Sequence, residues 1–470
     1  MGWSAKFGAG LLAALASGAV PGRAQDVGTT PPAPNVAPEP AQAPAGLWPA
    51  VDDLRDRLEA DGWLIQGQFT GIYQGHGRFK SPYTGADSLT SDTRPRETLS
   101  FGPLIGRRLW DGAALYFGPE FDQGFGLNST VGAAAFPNGE AFRAGTKDPR
   151  LNYERLFIRQ YIGFGGAQET IERDQLQFED TVDIDRLTLT LGKVSVWDLF
   201  DDNKYSHDPR TQFMNWALMA AGAIDFAADA KGYTDGLGLD YNQRDWAARW
   251  GIFQVAARPN SKAIDEHVLD GWQMLGELEQ RFALFDRPGR VRELAMLDRT
   301  HAIVYSAFAG LAPVNAGDPL YQARRYRENY GIELNLEQEL AADVGLFGRL
   351  SWNPGRVQEY MFTEVDRSAS LGVSIKGLRW GRPDDTVGLG GVLNGLSENH
   401  RSFLAAGNTG FIVGDGQLNY AAEQVIESYY SFQLLPGTAF SFDYQFLNNP
   451  GYNADRGPVS VFAVRFHAEY

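Results

Sequence analysis

The 470-residue chain contains no cysteine, which excludes disulfides and thiolate metal sites. Histidine is scarce as well: six residues, scattered at no ligand spacing, so neither a metal nor a cofactor is expected. Positive charge is the rarer sign, with 42 Lys and Arg against 58 Asp and Glu and a formal net charge of -16. Phosphate binding needs a basic surface, so no nucleic-acid partner is expected. Long apolar runs are missing beyond the first residues, where a spanning helix would need ~18–20. There is no G-x-S-x-G, no H-E-x-x-H and no phosphate-binding glycine loop, and an enzyme is not expected. Paired Asp and Glu are abundant, as a glycosidase would need, but they alternate along strand-like segments.

What is plentiful is glycine (54) and aromatic side chains (29 Phe, 19 Tyr, 11 Trp), a balance that suits a turn-rich all-β protein. The opening "MGWSAKFGAGLLAALASGAVPGRAQD" has Lys6, an apolar stretch and small residues at Gly22 and Ala24. It predicts a secretory signal over residues 1–24. Residues 25–47, which include "TTPPAPNVAPEPAQAPAG", are too rich in Pro and Ala to pack a core and read as a tether. "WPAVDDLRDRLEADG" predicts a short helix over 48–62, with Val51, Leu54 and Leu58 on one face and Gly62 as its stop.

From Trp63 onward the period falls to two. In "YGIELNLEQEL", Ile332, Leu334, Leu336 and Leu340 oppose Glu333, Asn335, Glu337 and Glu339. "QMLGELEQRFAL" sets Met274, Leu278 and Phe282 against Glu277, Glu279 and Arg281, and "FSFDYQF" sets Phe440, Phe442, Tyr444 and Phe446 against Ser441, Asp443 and Gln445. About sixteen such segments run from 63 to 470, joined by a few polar residues or by long loops such as 122–153. The last, "VSVFAVRFHAEY", carries Phe462, Val464 and Phe466 on one face and Arg465, His467 and Glu469 on the other.

A soluble sandwich also alternates, and a secreted carbohydrate-binding protein or glycosidase would fit that reading. Three features favour lipid over a protein core. The polar faces stack carboxylates and Gln, short turns alternate with long loops, and the final strand needs a partner that a closed barrel supplies. The fold expected is an all-β, transmembrane, antiparallel barrel of about 16 strands over 63–470 with a short N-terminal helix. Its greasy faces would meet outer-membrane lipid, and Tyr470 would sit in an interfacial girdle.

Two stretches, "LGKVSVWDLFDDNKYSHDPRTQFMNWALMAAGAIDFAADAKGY" (Leu191 to Tyr233) and His400 to Tyr470, closely resemble the carbohydrate-selective porin family of Gram-negative outer membranes, the OprB type. "DDLRDRLEADGWLIQGQFTGIY" resembles that family's helix leading into its first strand. The departures are "AVDDLR" where the family has nearer "WGGLR", the Pro-rich tether, and Tyr470 in place of a terminal Phe. The resemblance implies a single barrel, an outer-membrane location and passive uptake of small sugars. A barrel that exports or conducts a polysaccharide, or a general small-solute porin, are the alternatives.

A porin selects by pore width and lining. The densest polar cluster is "VWDLFDDNKYSHDPRTQFMNW", Val196 to Trp216. Sugars offer hydroxyls to charged groups and C–H faces to rings, so Trp197, Asp198, Asp201, Asp202, Arg210 and Trp216 are the candidates for a pore constriction. The alternative is a structural loop whose Asp residues cap turns. Glu277, Glu279, Glu333, Glu337, Arg465 and Glu469 are expected to face the lumen, where the acids, with Glu339, would make the channel negative. Arg324, Arg325 and Arg327 would bind lipopolysaccharide, line the pore, or form a solvated loop face.

Overall fold

The alternation becomes strands that close on themselves. The computed structural model describes residues 49–141, 145–308 and 318–470; the expected signal at 1–24 and tether at 25–47 lie outside them. The strands are β1 (Trp63–His76), β2 (Arg96–Trp110), β3 (Ala113–Gly124), β4 (Thr146–Gly163), β5 (Gln168–Ile171), β6 (Asp180–Asp183), β7 (Arg186–Val194), β8 (Thr234–Asn242) and β9 (Trp246–Phe253). They continue as β10 (Trp272–Leu284), β11 (Arg287–Ala302), β12 (Arg325–Ala341), β13 (Val344–Trp352), β14 (Arg367–Gly377), β15 (Arg382–Gly395), β16 (Glu423–Leu435), β17 (Thr438–Asn448) and β18 (Val459–Glu469). The described helices are α1 (Pro49–Ala60), α2 (Trp216–Met219), α3 (Asp318–Ala323) and α4 (Glu398–Ala405). All strands except β5 and β6 form one closed antiparallel barrel, in which each barrel strand pairs with its neighbour in sequence.

The barrel closes through β1 and β18, with Ile72 opposite Arg465. At the seam the N–H of Gly67 donates to the carbonyl of Tyr470 and the N–H of Tyr470 donates to the carbonyl of Gly67, both at 2.8 Å. The final strand therefore has hydrogen-bonded neighbours on both sides, and no sheet edge is left open.

Most strands keep the parity of their sequence. Phe442, Phe462, Ile332, Leu334 and Leu371 are exposed on the outside, while Asp443, Arg465, Glu333, Asn335 and Ser370 are buried on the inside. Trp63, Trp110, Phe164, Trp246, Phe285 and Trp380 ring the outer face near the short turns, and Tyr73, Tyr153, Tyr330 and Tyr444 ring it nearer the long loops. Aliphatic residues such as Leu350 and Leu389 lie between them. An apolar band flanked by aromatic girdles is the outer surface of a bilayer-spanning barrel.

The short turns, 111–112, 285–286, 342–343 and 436–437 among them, share one end with α1 and Tyr470. That end also carries the connection 164–185, whose hairpin of β5 and β6 the sequence pattern did not reveal. Arg173 in this hairpin pairs with Glu59 of α1 at 2.7 Å, and Arg55 lies over the Tyr470 ring at 4.9 Å. Helix α1 ends, as expected, at a left-handed Gly62 (φ 82°), although Leu54 on its apolar face is exposed. The long link expected over 122–153 is shorter, because β3 reaches Gly124 and β4 begins at Thr146. Pro149 there falls at an irregularity in the β3–β4 ladder, where its missing N–H costs no ladder bond.

Candidate functional site

The connection between β7 and β8, residues 195–233, lies among the inward side chains of the barrel. It starts with a short 3-10 turn, in which the Asp198 N–H donates to the Ser195 carbonyl at 3.1 Å and the Ser195 N–H donates to the Asp198 carboxylate at 3.2 Å. Asp201 takes a left-handed conformation (φ 56°) that Asp tolerates better than bulkier residues. Its N–H donates to Glu277 on β10 at 2.9 Å, and its carboxylate accepts from Arg349 on β13 at 2.7 Å and from Asn335 on β12 at 2.7 Å. Further along, Arg465 on β18 donates to the carbonyls of Pro209 and Gln212 at 2.6 and 2.8 Å. Glu427 on β16 accepts from the N–H groups of Met214 and Asn215 at 2.6 and 2.9 Å. Gln273 on β10 accepts from Ala227 N–H at 2.7 Å. One segment is thus bonded to strands distributed around the barrel, and its backbone polar groups are satisfied by wall side chains.

A cavity of about 570 Å³ remains between this segment and the wall formed by β4, β7, β8 and β9. Small-molecule sites commonly occupy ~300–1,000 Å³. Four of the six constriction candidates border it: Trp197, Asp198, Asp202 and Arg210. Asp198 accepts a two-pronged contact from Arg155, with Nε to Oδ2 at 2.8 Å and Nη2 to Oδ1 at 2.9 Å. Arg210 pairs with Glu140 at 2.8 Å and Glu120 at 3.0 Å. Asp202 meets Arg292 at 3.2 Å, with its side chain 58% exposed.

The other two candidates are placed elsewhere. Asp201 is fully buried and bonded to Arg349. Trp216 is fully buried in an aromatic cluster, stacked on Phe136 at 5.4 Å and edge-on to Trp197 at 4.8 Å. Neither lines this cavity: the N-cap at Asn215 turns the chain into α2 and carries the Trp216 ring into the packed core.

Glu277, Glu279, Glu333, Glu337 and Arg465 are buried at inward positions, and the Glu469 side chain, 45% exposed, also borders the cavity. Several of the acids expected to make the channel negative stand beside arginines. Glu279 accepts from Arg281, Arg292 and Arg249 at 2.7, 2.8 and 3.2 Å, and Glu277 from Arg249 at 2.6 Å. Arg292 also reaches Glu337 at 3.2 Å, and Arg349 stands 3.8 Å from Glu333. Adjacent strands offer cations at the same height as the acids, so the charges cancel locally. Of the arginines considered for the rim, Arg324 is buried and donates to Gln358 at 3.2 Å, whereas Arg325 and Arg327 are exposed.

Several partners were missed in the sequence. Arg249 and Arg349 stand at inward parity in otherwise apolar strands, and Arg292 at inward parity in a mixed one, a signal that was available. Arg155 was not so legible. The β3–β4 register shifts at Gly118 and Pro119, and this bulge leaves consecutive residues, Glu154 and Arg155, both buried on the inside. Arg159, one turn of the pleat further along, borders the cavity over the rings of Phe157 and Tyr116 at 5.3 and 5.6 Å.

The family model described as "Carbohydrate-selective porin, OprB family" matches residues 105–470. No curated protein matches the sequence. The high-pH structure of Pseudomonas putida OprB is similar at a TM-score of 0.67 and 15% identity, covering 91% of this chain and 98% of that one. The low-pH structure of the same protein gives 0.51 at 12% identity, over 92% and 100%. At these identities the structures show the shared fold. The family match spans most of the chain and most of the barrel, and the chain belongs to the carbohydrate-selective porin family, OprB, as a carbohydrate channel of the Gram-negative outer membrane.

Proposed function

We propose that small neutral carbohydrates diffuse passively through the space between the 195–233 segment and the wall of β4 and β7–β9. Arg155, Asp198 and Trp197 are the principal contacts. The observation that carries this reading is the two-pronged Arg155–Asp198 pair beside the Trp197 ring on one cavity. A locked ion pair presents fixed donors and acceptors to sugar hydroxyls, and an indole offers a face to sugar C–H groups. Because the charges are paired, neither a cation nor an anion gains a net attraction comparable to that of an open carboxylate. The exposure of Arg325 and Arg327 supports a contact with lipopolysaccharide phosphates at the outer rim.

The test is swelling of liposomes carrying the purified protein, with glucose, a disaccharide and a neutral amino acid of matched size. Glucose is expected to enter faster than the amino acid, and Arg155→Ala and Asp198→Ala are each expected to erase that advantage. Equal entry of all three in the unmodified protein would make it a general small-solute porin.

A further inference from the structure

At the outer end of the barrel, away from the cavity, the connection between β13 and β14 and helix α4 bring together Glu359, Asp366 and His400. One oxygen of each carboxylate and one ring nitrogen of the histidine lie within 4.8 Å of one another, and all three residues are buried. No short motif announces the group, because the three residues come from two separate connections.

Several of their atoms are accounted for. Asp366 Oδ2 accepts the N–H of Ser397 at 2.5 Å, and Glu359 Oε1 accepts from the Asn353 amide at 2.8 Å. The Tyr305 ring stacks on His400 at 4.1 Å and 15°. Two atoms are not accounted for: Glu359 Oε2 and His400 Nε2 are buried without a hydrogen-bond partner. Leaving such groups unsatisfied in a buried site is unfavourable. Charge is unbalanced in the same place. Among the described residues neither Glu359 nor Asp366 pairs with an arginine or lysine; His400 bonds to Asp366, and Glu359 has only the neutral Asn353 amide. Asp225 and Glu364 add two further buried carboxylates nearby, each held by backbone N–H groups.

We propose that Glu359, Asp366 and His400 bind a divalent transition-metal ion of the zinc class, which fastens the 353–366 connection to α4. An imidazole with carboxylates suits zinc or its neighbours better than calcium or magnesium, which prefer all-oxygen shells. The 3.2 Å between His400 Nδ1 and Asp366 Oδ1 is a hydrogen-bond length. It is also close to the edge of a tetrahedron around an ion with bonds of ~2.0–2.1 Å. A divalent cation held at His400 Nδ1 supplies the missing charge and a partner for Glu359 Oε2, while Nε2, on the far side of the ring, is not a ligand. The site is closed by protein on all sides, so the ion's role is structural.

The experiment uses the full chain, unfolded with a chelator and refolded in detergent with zinc, manganese, calcium or no added metal. Retained metal is measured by mass spectrometry after exhaustive dialysis, and unfolding by heat-dependent gel mobility. The unmodified protein is expected to keep about one zinc per chain and to unfold several degrees higher with it than without it. Glu359→Gln and His400→Gln are expected to reduce retained zinc at least about tenfold. Should a variant fail to refold, the zinc content of the unmodified chain decides alone. Zinc at background level, retention of calcium instead, or a Glu359→Gln variant that is more stable and insensitive to zinc would overturn the proposal. That last result would mark Glu359 as a neutral, protonated side chain.

Discussion

Two ion pairs on the 195–233 segment have the same chemistry and different surroundings. Arg349–Asp201 is closed off, with the two side chains 2% and 0% exposed, and further bonds run from the same Arg to the carbonyls of Leu218 and Ser206. Arg155–Asp198 borders the cavity, with its side chains 10% and 13% exposed. Toward β10–β13 and β16–β18 the segment is fastened by buried bonds. Toward β4 and β7–β9 it stands off and leaves room for a solute. The type of residue pair therefore does not distinguish a rivet from a pore contact. What distinguishes them is how far each pair is exposed to the cavity.

The sharpest way to break this contrast is Asp201→Ala, which leaves Arg349 buried without its main counter-charge. Removing one partner of a buried pair costs about 3–5 kcal/mol. The heat-modified gel transition should fall markedly, and single-channel conductance should rise as the segment loosens. Unchanged conductance would mean the closed side does not depend on that pair.

A smaller effect separates the two tryptophans. Trp197→Ala should reduce the glucose advantage over a matched amino acid in liposome swelling, because its ring borders the cavity. Trp216→Phe should leave that ratio unchanged and cost about 1–3 kcal/mol of stability through lost packing. Equal effects on permeation would dissolve the distinction between core and pore within this aromatic cluster.

The smallest effect is expected for Asp202→Asn, whose side chain is largely exposed at its contact with Arg292. An exposed pair contributes about 0–1 kcal/mol and is screened by salt. Stability should barely move, and any change in ion selectivity should vanish as salt is raised. A large loss of stability would show that Arg292 relies on Asp202 more than on Glu279 and Glu337.

Much of the architecture was legible because a strand has a strict period of two and lipid tolerates only apolar side chains on the outer face. Segments such as 332–340 and 440–446 gave their inward and outward sets correctly, and the final strand announced its need for a partner. The constriction candidates were readable only as a cluster. Their composition is the same whether a side chain ends in the core, as Trp216 does, or on the cavity, as Trp197 does.

The sequence by itself determined strand parity, the alternation of turns and long loops, and the family, since each is local or written in contiguous residues. Only the tertiary structure decided which acids are neutralised, that the Gly118–Pro119 bulge turns Arg155 inward, and that Glu359, Asp366 and His400 meet. The reason is physical. Charge compensation and burial depend on distances between residues far apart in the chain, and those distances are fixed by barrel closure and by the path of the 195–233 segment, neither of which has a period to read.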